Sequence, residues 1–257
     1  MKFDALAMGG GPAGCAAAAT LIQLGYSVCI VEGRDSEEFK AGESIPPAVK
    51  PLLRDLGFAP ACTANSSLTS HGNQSAWGAP MLSDTDFIRD PNGSGWHVDR
   101  SRFDAAMRAL TARAGVRLFE NTRVMRVQPE AAEWRVTLST PSGEQECEAA
   151  WIVDGTGRAA SFARARGAAR IIHDRLVSIL AIFTAPDASD ADSRTVVESA
   201  PCGWWYTSRV PGRRRIVAFH TDAGSETLRL ARTPAGFLAR LHSTRHIALR
   251  IADHAYL

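Results

Sequence analysis

The sequence predicts an α/β protein in which a Rossmann-like nucleotide-binding domain is interleaved with an antiparallel β-sheet domain. Three observations carry this. Gly9-Gly10-Gly11-Pro12-Ala13-Gly14 stands between an apolar run (residues 3–8) and an alanine-rich stretch (15–24), and Glu32 closes a second apolar run (26–31). That is strand, glycine turn, helix and strand in one unit. Four long strand-like runs (176–184, 195–199, 204–210 and 215–221) follow in the last third, with the spacing of antiparallel sheet. Between them, helical spacing at 99–114 and a short strand at 151–153 ending in Asp154-Gly155 return the chain to the parallel domain. The expected boundaries are 1–58 and 97–170 for the nucleotide domain, and 59–96 and 171–257 for the antiparallel one.

Each residue of the first unit has a mechanical reason. Gly9 permits a tight turn, Gly11 lets the backbone approach a pyrophosphate, and Gly14 lets helix and strand pack closely. Pro12 and Ala13 open the helix, whose first-turn N–H groups face the anion. Glu32 lies about 20 residues on, where a carboxylate accepts from ribose hydroxyls and disfavours a 2′-phosphate. Gly33 and Arg34 directly follow it and belong to the same expected site. The alternative is a tight turn that holds nothing.

After Glu32 a loop leads to Ile45-Pro46-Pro47, which opens a short helix, since proline suits a first turn. Residues 59–95 are rich in Ser, Asn, Gly and Pro, which predicts loops and short strands. In 99–114, Phe103, Met107, Leu110 and Ala114 recur at helical spacing, and 116–119 reads as a strand. Runs at 124–128, 134–139 and 144–149 predict a small antiparallel meander, and 233–241 a helix.

Composition is that of an ordinary globular protein with a net charge of +2, and only Lys2, Lys40 and Lys50 among its 29 basic residues are lysines. Arg213-Arg214-Arg215 follows Pro211-Gly212 between two strand-like runs and reads as a solvated hairpin end rather than a nucleic-acid patch. Five cysteines show no close pair and no metal spacing, which fits a reducing compartment. The glycine cluster within residues 3–31 argues against a signal or integral membrane segment. A cytoplasmic protein is expected. His242 and His246 have i, i+4 spacing, but exposed helix histidines are the simpler account and no metal is expected.

Three later segments sharpen the reading: Gly42-Glu43-Ser44-Ile45-Pro46-Pro47, then Gly95-Trp96-His97-Val98-Asp99-Arg100 with Phe103-Asp104, then Val153-Asp154-Gly155-Thr156-Gly157-Arg158. In this order the set resembles the FAD-dependent oxidoreductases that include geranylgeranyl reductases, tryptophan halogenases and aromatic hydroxylases of the hydroxybenzoate-hydroxylase fold. Trp77-Gly78, Gly95-Trp96-His97 and Gly203-Trp204-Trp205-Tyr206 are most similar to flavoproteins that hydroxylate protein tryptophan during quinone-cofactor maturation.

The resemblance implies that FAD is the cofactor and that Arg100 reaches its pyrophosphate, a task for which a guanidinium fork is suited. It further implies that Val124 gives backbone contacts to adenine, that Gly42, Glu43 and Ser44 lie by the flavin, and that Asp154 marks the return to the nucleotide domain. Simpler readings stand beside these: a helix cap for Ser44 and Arg100, a buried strand residue for Val124, a strand-end turn for Asp154. Trp77 and Trp205 are candidate walls of a substrate pocket, or plain core.

The implied activity is monooxygenation of an aromatic substrate, small or a protein tryptophan, with halogenation or geranylgeranyl-reductase-like reduction as alternatives. Halogenation implies a tunnel lysine and Trp-x-Trp-x-Ile-Pro; here only Lys50 lies between Gly42 and Trp96, and Trp205 runs on as Tyr-Thr-Ser-Arg-Val-Pro. One glycine fingerprint is present, so electrons are expected from transient NAD(P)H or a reductase. No Gly-Asp dipeptide occurs, although the family carries one after its substrate sheet. The expectation is therefore a chain truncated at the C-terminus, not a competent monooxygenase by itself, with a non-catalytic FAD-binding remnant as the competing class.

Overall fold

The computed structural model describes residues 1–33, 40, 43–62, 65–185 and 190–257. Arg34 and Gly42, two of the expected site residues, lie outside them, as does the Glu43 side chain. The chain divides into two compact units: Met1–Phe39, Leu52–Ala61 and Ser101–Ile171 in the first, Lys40–Pro51, Cys62–Arg100 and Ile172–Leu257 in the second. Residues 43–45 fall with the second unit because their strand pairs there.

In chain order the elements begin with β1 (Lys2–Met8), α1 (Pro12–Gln23), β2 (Val28–Val31), β3 (Glu43–Ile45), α2 (Val49–Asp55) and β4 (Ser67–Ser70). There follow β5 (Gly72–Ala76), β6 (Ser83–Asp86), β7 (Gly95–Val98), α3 (Arg100–Arg113), β8 (Arg117–Phe119), β9 (Arg123–Glu130), β10 (Glu133–Thr140), β11 (Gly143–Asp154) and α4 (Ser161–Ala165). The remainder is β12 (Leu176–Thr184), β13 (Thr195–Ala200), β14 (Gly203–Val210), β15 (Arg214–Asp222), α5 (Glu226–Ala231), α6 (Pro234–His242), α7 (His246–Arg250) and β16 (Ala255–Tyr256).

The first unit is a six-stranded mixed sheet in the order β8-β2-β1-β11-β10-β9. Its first four strands are parallel, the Rossmann arrangement, and β11-β10-β9 are antiparallel. The expected strands at 144–149 and 151–153 are one element, because no turn former separates Ala149, Ala150 and Trp151. The early half of β11 pairs with β10 and the later half with β1, so the meander extends the nucleotide sheet itself. β1 and β2 are buried along most of their length and read as near-continuous apolar runs.

The second unit holds a seven-stranded sheet, β16-β12-β15-β14-β13-β5-β6, and a three-stranded one, β3-β7-β4. In the larger sheet only β13 and β5 pair in parallel. Strand alternation sends Trp205 and Thr207 to one face and Trp204, Tyr206 and Ser208 to the other. The first face packs Trp205, Val217 and Phe219 against Phe237, Leu241 and Ile247 of the helices. The α6 helix starts as its sequence dictates: Pro234 takes the first position and the Thr233 hydroxyl accepts from the N–H of Gly236 at 3.1 Å. Among the described residues no helix is long and apolar enough to cross a membrane.

The arginine triplet corrects the hairpin-end reading. Only Arg213 is solvated. Arg214 pairs with Asp99 at 2.7 Å, and Arg215 is fully buried on a two-pronged contact with Asp190 at 2.8 and 2.9 Å. Alternation along β15 turns Arg215 toward the packed face, where only a paired charge is tolerated.

Candidate functional site

The glycine turn is built as its sequence requires. Gly9 has φ +102°, a region L side chains rarely adopt, and a methyl group at Gly14 would overlap the Gly9 carbonyl. A Cβ at Gly11 would meet nothing within 4 Å, so the backbone there is open on that side. Gly11 is the N-cap of α1, Pro12 opens the helix, and no side chain caps it. Uncapped first-turn N–H groups beside an open glycine backbone form an anion cradle, which fits a pyrophosphate.

Glu32 is buried at the end of β2, and its Oε2 accepts from the Gly10 N–H at 2.7 Å. The carboxylate therefore binds the glycine turn itself, a role the sequence did not show. Gly33 is exposed beside it, against Thr122 and Arg123. Beneath the turn lies Arg108 of α3, almost fully buried, with Nη1 3.4 Å from the Gly10 carbonyl and Nε 3.2 Å from Glu120. Asp154 caps the turn after β11. Its carboxylate accepts from Thr156 and from the Ala163 N–H at 2.9 Å, and those hydrogen bonds outweigh burial and hold it below the usual range. Val124, on β9, packs at the edge of the apolar core of this unit. Arg100 begins α3 and belongs to the second unit.

In the second unit a polar cluster forms around Ser44. Its Oγ lies 2.8 Å from His97 Nδ1, 3.0 Å from Thr195 Oγ1 and 2.9 Å from the Tyr206 hydroxyl, which also donates to Ser208 at 2.9 Å. His97 Nε2 sits 2.6 Å from the Ser193 carbonyl, which can only accept, so Nε2 carries the proton. The Nδ1 of the neutral ring is then an acceptor and Ser44 donates to it. Burial, with the nearby charges of Arg215 and Arg209, pushes His97 down to about 4. This histidine is a neutral base at ordinary pH.

Two of the expected pocket aromatics part company here. Trp205 is core, stacked on Phe219 at 4.6 Å and met by Phe237 at 5.1 Å, so it does not wall a pocket. Its neighbour Tyr206 points the other way, into the Ser44 cluster. Trp77 is exposed and meets Trp204 edge-on at 6.2 Å, and Trp204 lies over His220 at 3.7 Å. Trp204 and Tyr206 share one face of β14, so an aromatic group and a hydroxyl cluster stand on the same side of this sheet.

Sequence reasoning passed over His97 as a site residue, together with Thr195, Ser193 and Arg108. A signal for Arg108 existed: Asp104, Arg108 and Thr111 share the buried side of α3 with Phe103 and Met107. His246 Nε2 bonds the Pro80 carbonyl at 2.9 Å.

Residues 2–247 match the model of the FAD binding domain family. The chain belongs to this family. Its cofactor is accordingly FAD. Over 224 residues the chain is 26% identical to a putative FAD-dependent oxidoreductase, LodB, of Marinomonas mediterranea, covering 86% of this chain and 60% of that protein. It is 30% identical over 171 residues to the flavin-dependent halogenase armH3 of Armillaria mellea, covering 62% and 33%. Among solved structures, a flavoprotein/dehydrogenase from Cytophaga hutchinsonii superposes with TM-score 0.84 at 26% identity, covering all of this chain and 65% of that one. The peptidyl tryptophan dihydroxylase QhpG gives 0.66 at 25%, covering 96% and 54%. The chain thus spans between a third and about two thirds of the length of each of these four. The fold is the mixed α/β, Rossmann-type FAD-binding fold that the sequence predicted.

Proposed function

We propose that this chain is the FAD-binding and substrate-sheet portion of a flavin-dependent monooxygenase acting on an aromatic substrate, with protein-borne tryptophan as the specific class. The observation that carries the reading is the open glycine turn over an uncapped helix N-terminus, backed by a buried acid at the end of β2. In this reading the backbone of Gly9, Gly11, Pro12, Ala13 and Gly14 holds the pyrophosphate, Glu32 and Gly33 take the ribose, and Val124 flanks adenine. Arg100, Glu43, Ser44 and Asp154, with Arg34 and Gly42, keep the roles that family resemblance gives them. The first unit is the FAD-binding domain and the second the substrate domain.

Bound FAD supplies the redox chemistry and activates dioxygen. The chain's own residues bind and orient. Trp77 and Trp204 offer ring faces and edges to an aromatic group. Ser44 donates to the neutral His97 at Nδ1, which fixes the direction of its hydroxyl beside Tyr206 and Thr195. The electron donor in this reading is transient NAD(P)H or a partner reductase. The tryptophan class is supported by the likeness to QhpG, whose name states that activity.

A second reading, halogenation, is favoured by the halogenases among the relatives and by Lys50, whose ammonium lies 4.8 Å above the Trp96 ring. One experiment separates the two. The protein is supplied with chemically reduced FAD, oxygen, bromide and a tryptophan-bearing peptide, and the peptide is read by mass spectrometry. Any product should carry added oxygen, with low yield from this chain alone; a bromine isotope doublet selects the second reading. In parallel, Glu32→Ala should weaken FAD binding roughly tenfold, the scale of one charge-assisted hydrogen bond. Unmodified peptide together with unchanged FAD affinity overturns the proposal.

A further inference from the structure

We propose that Arg108 is a positioning residue that sets the ribose specificity of the nucleotide site, acting on Glu32 through Gly10. This rests on the reading of the glycine turn and Glu32 as that site. Gly10 is held on both of its polar atoms. Its N–H donates to Glu32 Oε2 at 2.7 Å, and its carbonyl faces Arg108 Nη1 at 3.4 Å and accepts from the Cys15 thiol at 3.5 Å.

The same two side chains also close on the bare side of this glycine. A Cβ built at Gly10 would stand 2.7 Å from Arg108 Cδ and 3.1 Å from Glu32 Cβ. The arginine stem and the glutamate stem therefore flank the one space that a side chain at Gly10 would fill. Any substitution there pushes on both.

A buried arginine needs a reason to be where it is, since desolvating its charge is costly unless it is paired and hydrogen-bonded. Arg108 keeps 2% of its side-chain surface in water, and Glu120, its ion-pair partner, keeps 52%. The fork thus ties an outer acid to the underside of the turn while its stem lies across the Gly10 position from Glu32. Its charge also sits close enough to act on Cys15, on which Glu32 acts as well. In that reading of the site Glu32 accepts from the ribose hydroxyls. Shifting Glu32 by a fraction of an ångström would cost the geometry of those bonds before it cost the fold.

A nucleotide pair that differs by one hydroxyl isolates this role. Affinities of ADP and 2′-deoxy-ADP for the 257-residue chain are measured by calorimetric titration, and the ratio of the two reports the ribose contact independently of the fraction folded. The unaltered chain should prefer ADP roughly tenfold. In Arg108→Met the preference should fall to within about threefold. Arg108→Lys keeps charge and stem without the fork, and Glu120→Gln frees the fork from a half-exposed partner; both should fall between, and they decide the matter if Arg108→Met does not fold. A merely structural role lowers the melting temperature and leaves the ratio unchanged, which overturns the proposal. An unaltered chain with no preference between the nucleotides, while Glu32→Ala leaves ADP affinity intact, locates the failure in the reading of the site instead.

Discussion

Acidification should loosen the second unit through His97. The ring is fully buried, donates from Nε2 to the Ser193 carbonyl and accepts from Ser44 at Nδ1, so burial opposes a second proton and the charges of Arg215 and Arg209 repel it. Its folded-state value of about 4 lies below the ordinary 6.5. The unfolded chain therefore takes up the proton first, and the stabilising contribution is complete above pH 6.5 and lost as pH falls toward 4. Linkage between those two values gives a loss of about 2–3 kcal/mol by pH 4.5. That is a large share of a typical domain's stability. The assay is urea unfolding at pH 7 and pH 4.5, followed by tryptophan emission, for the unaltered chain and His97→Gln. His220 is also lowered by burial, so the comparison between the two proteins, and not the raw pH dependence, carries the result. His97→Gln should be less stable at pH 7 but lose about 2–3 kcal/mol less on acidification. Equal losses in both proteins would falsify the assignment of His97 as a buried neutral base.

Two further outcomes follow from the same geometry. Arg215→Met leaves Asp190, largely buried, with Arg209 at 3.7 Å and His254 at 3.2 Å as its ion-pair partners among the described residues, and should cost about 3–5 kcal/mol in urea unfolding, whereas Arg229→Ala, on an exposed pair, should move stability by less than about 0.5 kcal/mol; equal small effects refute the burial argument. Gly14→Ala drives a methyl into the Gly9 carbonyl and should destabilise the first unit by about 1–3 kcal/mol while weakening FAD binding, and an unshifted melt with normal titration would show that the helix and turn are not packed as described.

Local signals were legible where a residue type has one mechanical use. Glycine at positive φ, proline at a first helical turn and a threonine cap are each short-range, so the turn at Gly9, the start of α1 and the start of α6 could be placed within a residue or two. Alternation found four strands of the large sheet, β12 to β15, with similar accuracy, including Leu176–Thr184. It also stated that Trp205 and Tyr206 face apart, but not which face is core. That choice is made by helices α5 to α7, which pack on one side only.

What stayed hidden depends on partners far along the chain. Glu198 shows why: its carboxylate accepts from the backbone N–H groups of Arg245, His246 and Ile247 at 2.7 to 2.9 Å, capping α7 from a strand 47 to 49 residues earlier. A five-residue helix has almost no stability of its own, and its cap is invisible in its own segment. His97 is the same case at the site. Nothing in Gly95-Trp96-His97 reveals a neutral ring, because its protonation is decided by a carbonyl at Ser193, a hydroxyl at Ser44 and the charges of Arg209 and Arg215. Those groups come from four separate stretches, and Arg215 is itself held by Asp190, in the same short segment as Ser193. The arginine triplet that reads as a surface feature thus helps fix the charge state of the base beneath Ser44.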